Sequence, residues 1–173
     1  MKHRFLATCL IWSALAACVA CSSAKDRGAH WLTLVQRAHH SVDEYRTVQE
    51  QRGPTDVTAR GTERALRQAI SEAPDAPNVG ERWVIQDLYY RLAQLLTDTG
   101  AADSAATEVE RGLAIDAAPT LARANLLALH GKLLEKRGET EAAAKAYHGA
   151  LLVNEVLMDQ ALNGSTEQGS KQP

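Results

Sequence analysis

Beyond position 21 the chain has no cysteine: Cys9, Cys18 and Cys21 all lie in or beside the N-terminal apolar stretch. The remainder cannot depend on a disulfide and must be held by packing, for which 173 residues suffice. Aromatic residues are scarce (one Phe, four Tyr, three Trp), and β-branched residues are few beside the Ala, Leu, Glu, Gln and Arg. That balance argues against a β-rich core and predicts an all-α protein. Eleven Gly and five Pro are too few for a low-complexity chain. A net charge of -2 and a pI near 6.3 lack the positive footprint with which a protein grips phosphates, which argues against a nucleic-acid partner. No apolar run reaches the roughly 20 residues of a membrane-spanning helix, which argues against a permanent helical anchor.

The N-terminus has a different composition. Lys2, His3 and Arg4 precede a short apolar run over 5–14 with Leu6, Leu10, Ile11 and Trp12, followed by Leu15-Ala16-Ala17-Cys18. This is the pattern of an export signal with a processing site. Leu15-Ala16-Ala17-Cys18 resembles the lipobox of bacterial lipoproteins, which implies acylation of Cys18 and cleavage just before it. Cys21 lacks the upstream aliphatic residue at that spacing. Ala14-Leu15-Ala16 also fits ordinary signal cleavage, which would release a soluble chain beginning at Ala17. Loss of 1–17 leaves 17 basic against 21 acidic residues, a net charge of -4, so membrane attachment would rest on the acyl chains. Val19 stands where inner-membrane retention places Asp, so the resemblance implies the outer membrane, facing the periplasm. The predicted divisions are a signal peptide over 1–17 and a lipidated Cys with a polar tether over 18–28.

The body divides into helical stretches. Trp31, Leu34, Val35, Ala38, Val42 and Tyr45 follow three-and-four spacing over 30–51, before Gly53-Pro54. A second stretch, over 58–73, carries Leu66, Ala69 and Ile70 and ends at Pro74. A third holds Trp83, Val84, Leu88, Tyr89, Leu92, Leu95 and Leu96 and closes at Gly100, and a fourth runs to Ile115 before Pro119. Thr120 is a candidate N-cap for a fifth helix ending at Gly138, and a sixth reaches about 162. The polar segment 163–173 is expected to be disordered. The fold predicted is about six helices in stacked antiparallel hairpins: a degenerate hairpin over 29–80, then two alike over 81–119 and 120–162.

A shift of 38 residues superposes Tyr89 on Leu127, Ala93 on Gly131, Leu96 on Leu134, Gly100 on Gly138, Ala105 on Ala143, Val109 on Tyr147, Gly112 on Ala150 and Leu113 on Leu151. The pattern of small residues on two helices with an aromatic on the second resembles the tetratricopeptide repeat. It departs from that family in a period about four residues longer, with 116–120 as the excess, in lacking a Pro that closes the second helix, and in carrying Tyr89 and Leu127 where Trp is expected. Two clean repeats are few, so the N-terminal hairpin would act as a cap.

Candidate chemistry is sparse. His39 and His40 are followed by Asp43 and Glu44, but adjacent helical residues point about 100° apart, and a zinc site needs three or four ligands. His130 and His148 fall on different helices. No phosphate loop, nucleophile elbow or paired-histidine zinc motif occurs. Glu108, Glu110, Asp116, Glu135, Glu139 and Glu141 interleave with Arg111, Lys132, Lys136 and Arg137 as on a solvated helix face. The expectation is a protein that is not an enzyme and holds no cofactor or metal.

What the repeat resemblance implies is a concave groove lined by the first helices: Asp87, Tyr90, Gln94 and Asp98, then Asn125, Ala128, Lys132 and Glu135. Tyr90 combines an apolar face with a polar tip, or else packs as core; Gln94 and Asn125 can bond a peptide backbone. The family's clamp for carboxylate tails is not matched, because Tyr90 and Ala128 occupy its basic and Asn positions. The function expected is a lipid-anchored adaptor or scaffold for another cell-envelope protein of the pilus, secretion or outer-membrane assembly class. The alternatives are a self-associating structural lipoprotein that dimerises through its hairpin ends and, more remotely, a metal-dependent enzyme using His39 and His40.

Overall fold

The computed structural model describes the backbone of residues 4–52 and 56–169 and the side chains of 26–52 and 57–163. Among the described residues there are six helices and no strand: α1 Arg4–Arg52, α2 Asp56–Ser71, α3 Val79–Asp98, α4 Ala102–Ile115, α5 Leu121–Lys136 and α6 Thr140–Gly169. Consecutive helices pack as the hairpins α1/α2, α3/α4 and α5/α6. The second helix of each of the first two hairpins also packs on the first helix of the next, and α3 touches α5. The all-α class and the order of hairpins are as the sequence predicts.

The turns follow from particular residues. Gly100 and Gly138 adopt φ of 83° and 79°, a region that disfavours side chains. After α3, the Ala101 N–H donates to the Leu96 carbonyl at 2.8 Å and the Gly100 N–H to that of Thr97 at 3.2 Å. After α5, the Glu139 N–H reaches the Leu134 carbonyl at 3.0 Å and the Gly138 N–H that of Glu135 at 2.9 Å. Both are Schellman caps, 38 residues apart. Thr120 caps α5 by accepting from the Arg123 N–H at 3.0 Å. Asn78 and Glu81 form a reciprocal capping box at the start of α3, written in the sequence as Asn-x-x-Glu but missed in the prediction.

The core runs from Trp31, Leu34, Ala38 and Val42 of α1 through Leu66 and Ala69 of α2 to Leu88, Leu92, Val109, Leu126 and Leu133. Trp31 donates its indole N–H to the Ala69 carbonyl at 2.8 Å, which fixes α2 against α1. Side chains at Gly112 and Gly131 would collide with neighbours. A Cβ on Gly112 would lie 2.8 Å from both Leu126 Cδ1 and Tyr89 Cβ, and one on Gly131 would lie 2.7 Å from the Tyr147 ring.

Several expectations on helix extent need correction. The segment over 22–28, expected to be a tether, continues α1, and α6 runs to Gly169 where disorder was expected from 163. Residues 170–173 and the side chain of Cys18 lie outside the described residues. Trp83, counted among the apolar residues of the third helical stretch, is 46% exposed. Glu108, expected on a solvated face, is buried, with Arg67 at 2.9 Å and Arg111 at 3.3 Å neutralising its carboxylate.

Candidate interaction groove

The helix-first residues of the predicted groove divide between two neighbours. Asp87, Gln94 and Asp98 share the side of α3 that fronts α1. The Arg91 Nε donates to the Asp87 carboxylate at 2.6 Å, and His39 Nε2 lies 3.2 Å from the same oxygen. The His39 contact is short enough for an ion pair but too poorly aligned for a hydrogen bond, so the buried Nε2 has no hydrogen-bond partner. Burial alone would push the Asp87 carboxyl up, but His39 and Arg91 together outweigh it and hold the group below the ordinary carboxylate range. His40 is exposed, so the adjacent histidines diverge as helix geometry requires.

One turn further along, a small pocket opens between α1, α2 and α3. Val42, Tyr45, Arg46, Thr62, Arg91, Gln94, Leu95 and Asp98 line it, around a void of ≈ 20 Å³. That is room for about one water. Gln94 donates its amide to Asp98 at 2.7 Å, whereas Thr62 turns its hydroxyl to the Ser41 carbonyl at 3.0 Å. Tyr45 is 3% exposed, and its hydroxyl has no hydrogen-bond partner among the described residues. Burial, and then the negative charge of Asp98, raise its pKa, so the phenol stays protonated and is available as a donor. A buried hydroxyl without an acceptor costs about 1–3 kcal/mol. The void that Tyr45 lines can hold a water as its acceptor.

The other predicted residues are placed differently. Tyr90 is half-buried and packs on the central core. Asn125 is half-buried on α5, and Ala128 and Lys132 are exposed. Glu135 is engaged by α6: the Tyr147 hydroxyl donates to it at 2.9 Å, and that bond raises the phenol's pKa. The structure therefore joins Gln94 and Asp98 in one pocket with Asp87 beside it, and holds Glu135 apart.

Sequence reasoning missed Tyr45, Arg46 and Arg91, because only the packing of α1 on α3 brings them together. It also missed Gln86, which is wholly buried. The Gln86 amide donates to the Gly112 carbonyl at 3.2 Å and the Asp116 carbonyl at 3.1 Å, and its oxygen accepts from the Thr120 hydroxyl at 2.6 Å. Arg82 binds Asp116 at 2.8 Å, and Arg123 adds a bond to the Asp116 carbonyl at 2.9 Å. Arg82 and the Ala118 N–H hold the Asp116 carboxyl below its usual range. This junction fixes α5 relative to α3 and so sets the line of the groove. A polar residue in register with Tyr89 and Ala93 on a packed helix face was its signal in the sequence.

Among the described residues no helix is long and apolar enough to cross a membrane, and no group of three or more His, Cys, Asp or Glu is placed to hold a metal ion. No protein-family model matches the chain, and no curated protein matches it. Among solved structures it is similar to BtubC (BKLC) from P. vanneervenii, with 20% identity and a TM-score of 0.51, over 78% of this chain and 59% of that one. The chain thus spans 59% of the length of that neighbour, and at this identity the likeness shows an all-helical fold alone.

Proposed function

We propose that the protein is a lipid-anchored, tetratricopeptide-like adaptor that holds another cell-envelope protein along the face built by α1, α3 and α5, in a binding rather than a catalytic role. The observation that carries the binding half is the set of polar groups, Arg46, Arg91, Gln94 and Asp98, that α1 and α3 bring to the rim of one pocket. An extended segment of a partner could lie along that rim while Gln94 and Asn125 bond its backbone amides. The repeat resemblance is supported by the paired Schellman turns at Gly100 and Gly138 and by the tight seat that Gly131 gives Tyr147. The anchor rests on the sequence around Leu15-Ala16-Ala17-Cys18, and placement at the outer membrane follows from Val19.

The test has two arms. A photo-crosslinking residue at Gln94 should capture a partner in cell envelopes, whereas one at Glu110 on α4 should not. The double variant Arg46→Ala/Asn125→Ala should lose most of that capture with its helicity intact; unchanged capture by the folded variant would remove the groove. Intact mass of the N-terminal peptide should show an acylated fragment beginning at Cys18, lost in Cys18→Ser. An unmodified fragment beginning at Ala17 would remove the membrane half.

A further inference from the structure

The 38-residue register links α4 to α6, and the two helices differ in what covers them. Ala106 and Leu113 of α4 are buried and half-buried in the central core, whereas their counterparts Ala144 and Leu151 are exposed, Leu151 to 66%. The uncovered stripe continues one face of α6 through Met158, 61% exposed, and Leu162, 63% exposed. Ala144, Leu151, Met158 and Leu162 fall seven, seven and four residues apart, that is two, two and one turns along one line of the helix. α6 spans 30 residues, about 45 Å, against 16 in α5, about 24 Å, so its second half outruns its hairpin partner. It also continues as one helix to Gly169, so within the described residues the chain does not fold back over the stripe.

From this geometry we infer that α6 is the docking surface for a second copy of the chain, whose own α6 packs antiparallel on the stripe. The stack already buries this face at α4 with a neighbouring helix, and the same type of face continues at α6. The stripe is also complementary to itself. An antiparallel pair with its twofold axis between Asn154 and Glu155 sets Leu151 against Met158 of the second copy, and faces each Glu155 with an Asn154 amide. One patch thus serves both partners, as twofold symmetry requires. With four apolar side chains, the patch falls below the roughly 800 Å² per partner of a standard interface. A patch of that size suits a weak, concentration-dependent dimer. It leaves the pocket at Tyr45 open, since that pocket lies among α1, α2 and α3.

Sedimentation velocity of the full chain in mild detergent tests this. The wild type should pass from monomer to dimer between about 1 and 100 µM, and Leu151→Glu/Met158→Glu, with unchanged circular dichroism, should stay monomeric, a weakening of at least about 100-fold. In a background with Cys9, Cys18 and Cys21 changed to Ser, a Leu151→Cys chain mixed with a Met158→Cys chain should form a disulfide, and neither chain alone should. A wild type that is monomeric at about 100 µM, or a variant that associates equally, overturns the proposal. So do single-variant crosslinks, which would mean parallel helices, and stripe-dependent binding of lipid vesicles by a monomer.

Discussion

The α3/α4 and α5/α6 hairpins share a register and the same Schellman turn, yet they are held together by different means. The first closes on small and branched residues, Ala93 and Val109, both wholly buried. The second removes a Cβ at Gly131 to admit the Tyr147 ring, whose hydroxyl then finds Glu135. The first is covered on its far side and tied to its neighbour through Gln86, Arg82 and Asp116; the register counterparts of these three are Ala124, Thr120 and Asn154, and no following helix meets them among the described residues. A repeated sequence position thus has no fixed energetic meaning. What it contributes depends on whether another helix follows.

The strongest way to break the comparison is at the polar junction. Gln86→Leu leaves the Thr120 hydroxyl and the Gly112 carbonyl buried without the amide that joins them, at a cost of about 2–3 kcal/mol, read as a lower urea midpoint. Ala124→Leu, at the counterpart position, breaks no such junction, and any loss there reflects overpacking alone. Next come the counterparts Leu113 and Leu151. Leu113→Ala should cost about 1–2 kcal/mol because the core packs on it, whereas Leu151→Ala, two-thirds exposed, should stay within about 0.5 kcal/mol and act on association instead.

A third experiment exchanges the two closures. Gly131→Ala gains helix propensity but presses a Cβ onto the Tyr147 ring, for a net loss of about 1 kcal/mol. With Tyr147→Val added, the second hairpin carries the Ala and Val of the first, and the collision is gone. The double variant should therefore be more stable than the sum of the singles by about 1 kcal/mol, measured as a coupling energy in a double-mutant cycle. Additive losses would mean that the two closures are not alternative solutions to one packing problem.

Punctuation was the legible part of the fold. Gly100, Gly138, Thr120 and the Pro residues mark ends that local chemistry decides, and the apolar spacing gave the helices between them. The lengths of α1 and α6 were not legible, for a related reason. The segment over 22–28 is polar, which was read as a tether, but polarity also marks a solvated helix. Its one poor helix former, Gly28, costs only about 1 kcal/mol. The polar run after Leu162 misled in the same way. In the groove, Gln94 and Asp98 were legible because they sit on the repeat's own line, while Tyr45 and Arg46 belong to the degenerate hairpin, where no register pointed. Glu108 was misread because its charge is offset by Arg67, 41 residues away, a tertiary pairing that no local pattern announces.

The last experiment separates the two sides of α3. Asp87 lies below the ordinary carboxylate range in the folded protein because His39 and Arg91 outweigh the cost of its burial. For a carboxylate depressed in this way, the contribution to stability is complete above its unfolded pKa and is lost as pH falls through the folded value. Urea stability should thus decline below about pH 4 in the wild type. In Asp87→Asn that part of the decline should be missing, and stability at neutral pH should be lower by about 1 kcal/mol. The loss stays small because the pair joins α1 to α3 at a half-exposed edge, not in the core, where Leu88 and Leu92 carry the packing. If Asp87→Asn kept the full acid-dependent decline, the α1–α3 contact would rest on apolar packing alone, and the groove would keep its shape without the ion pair.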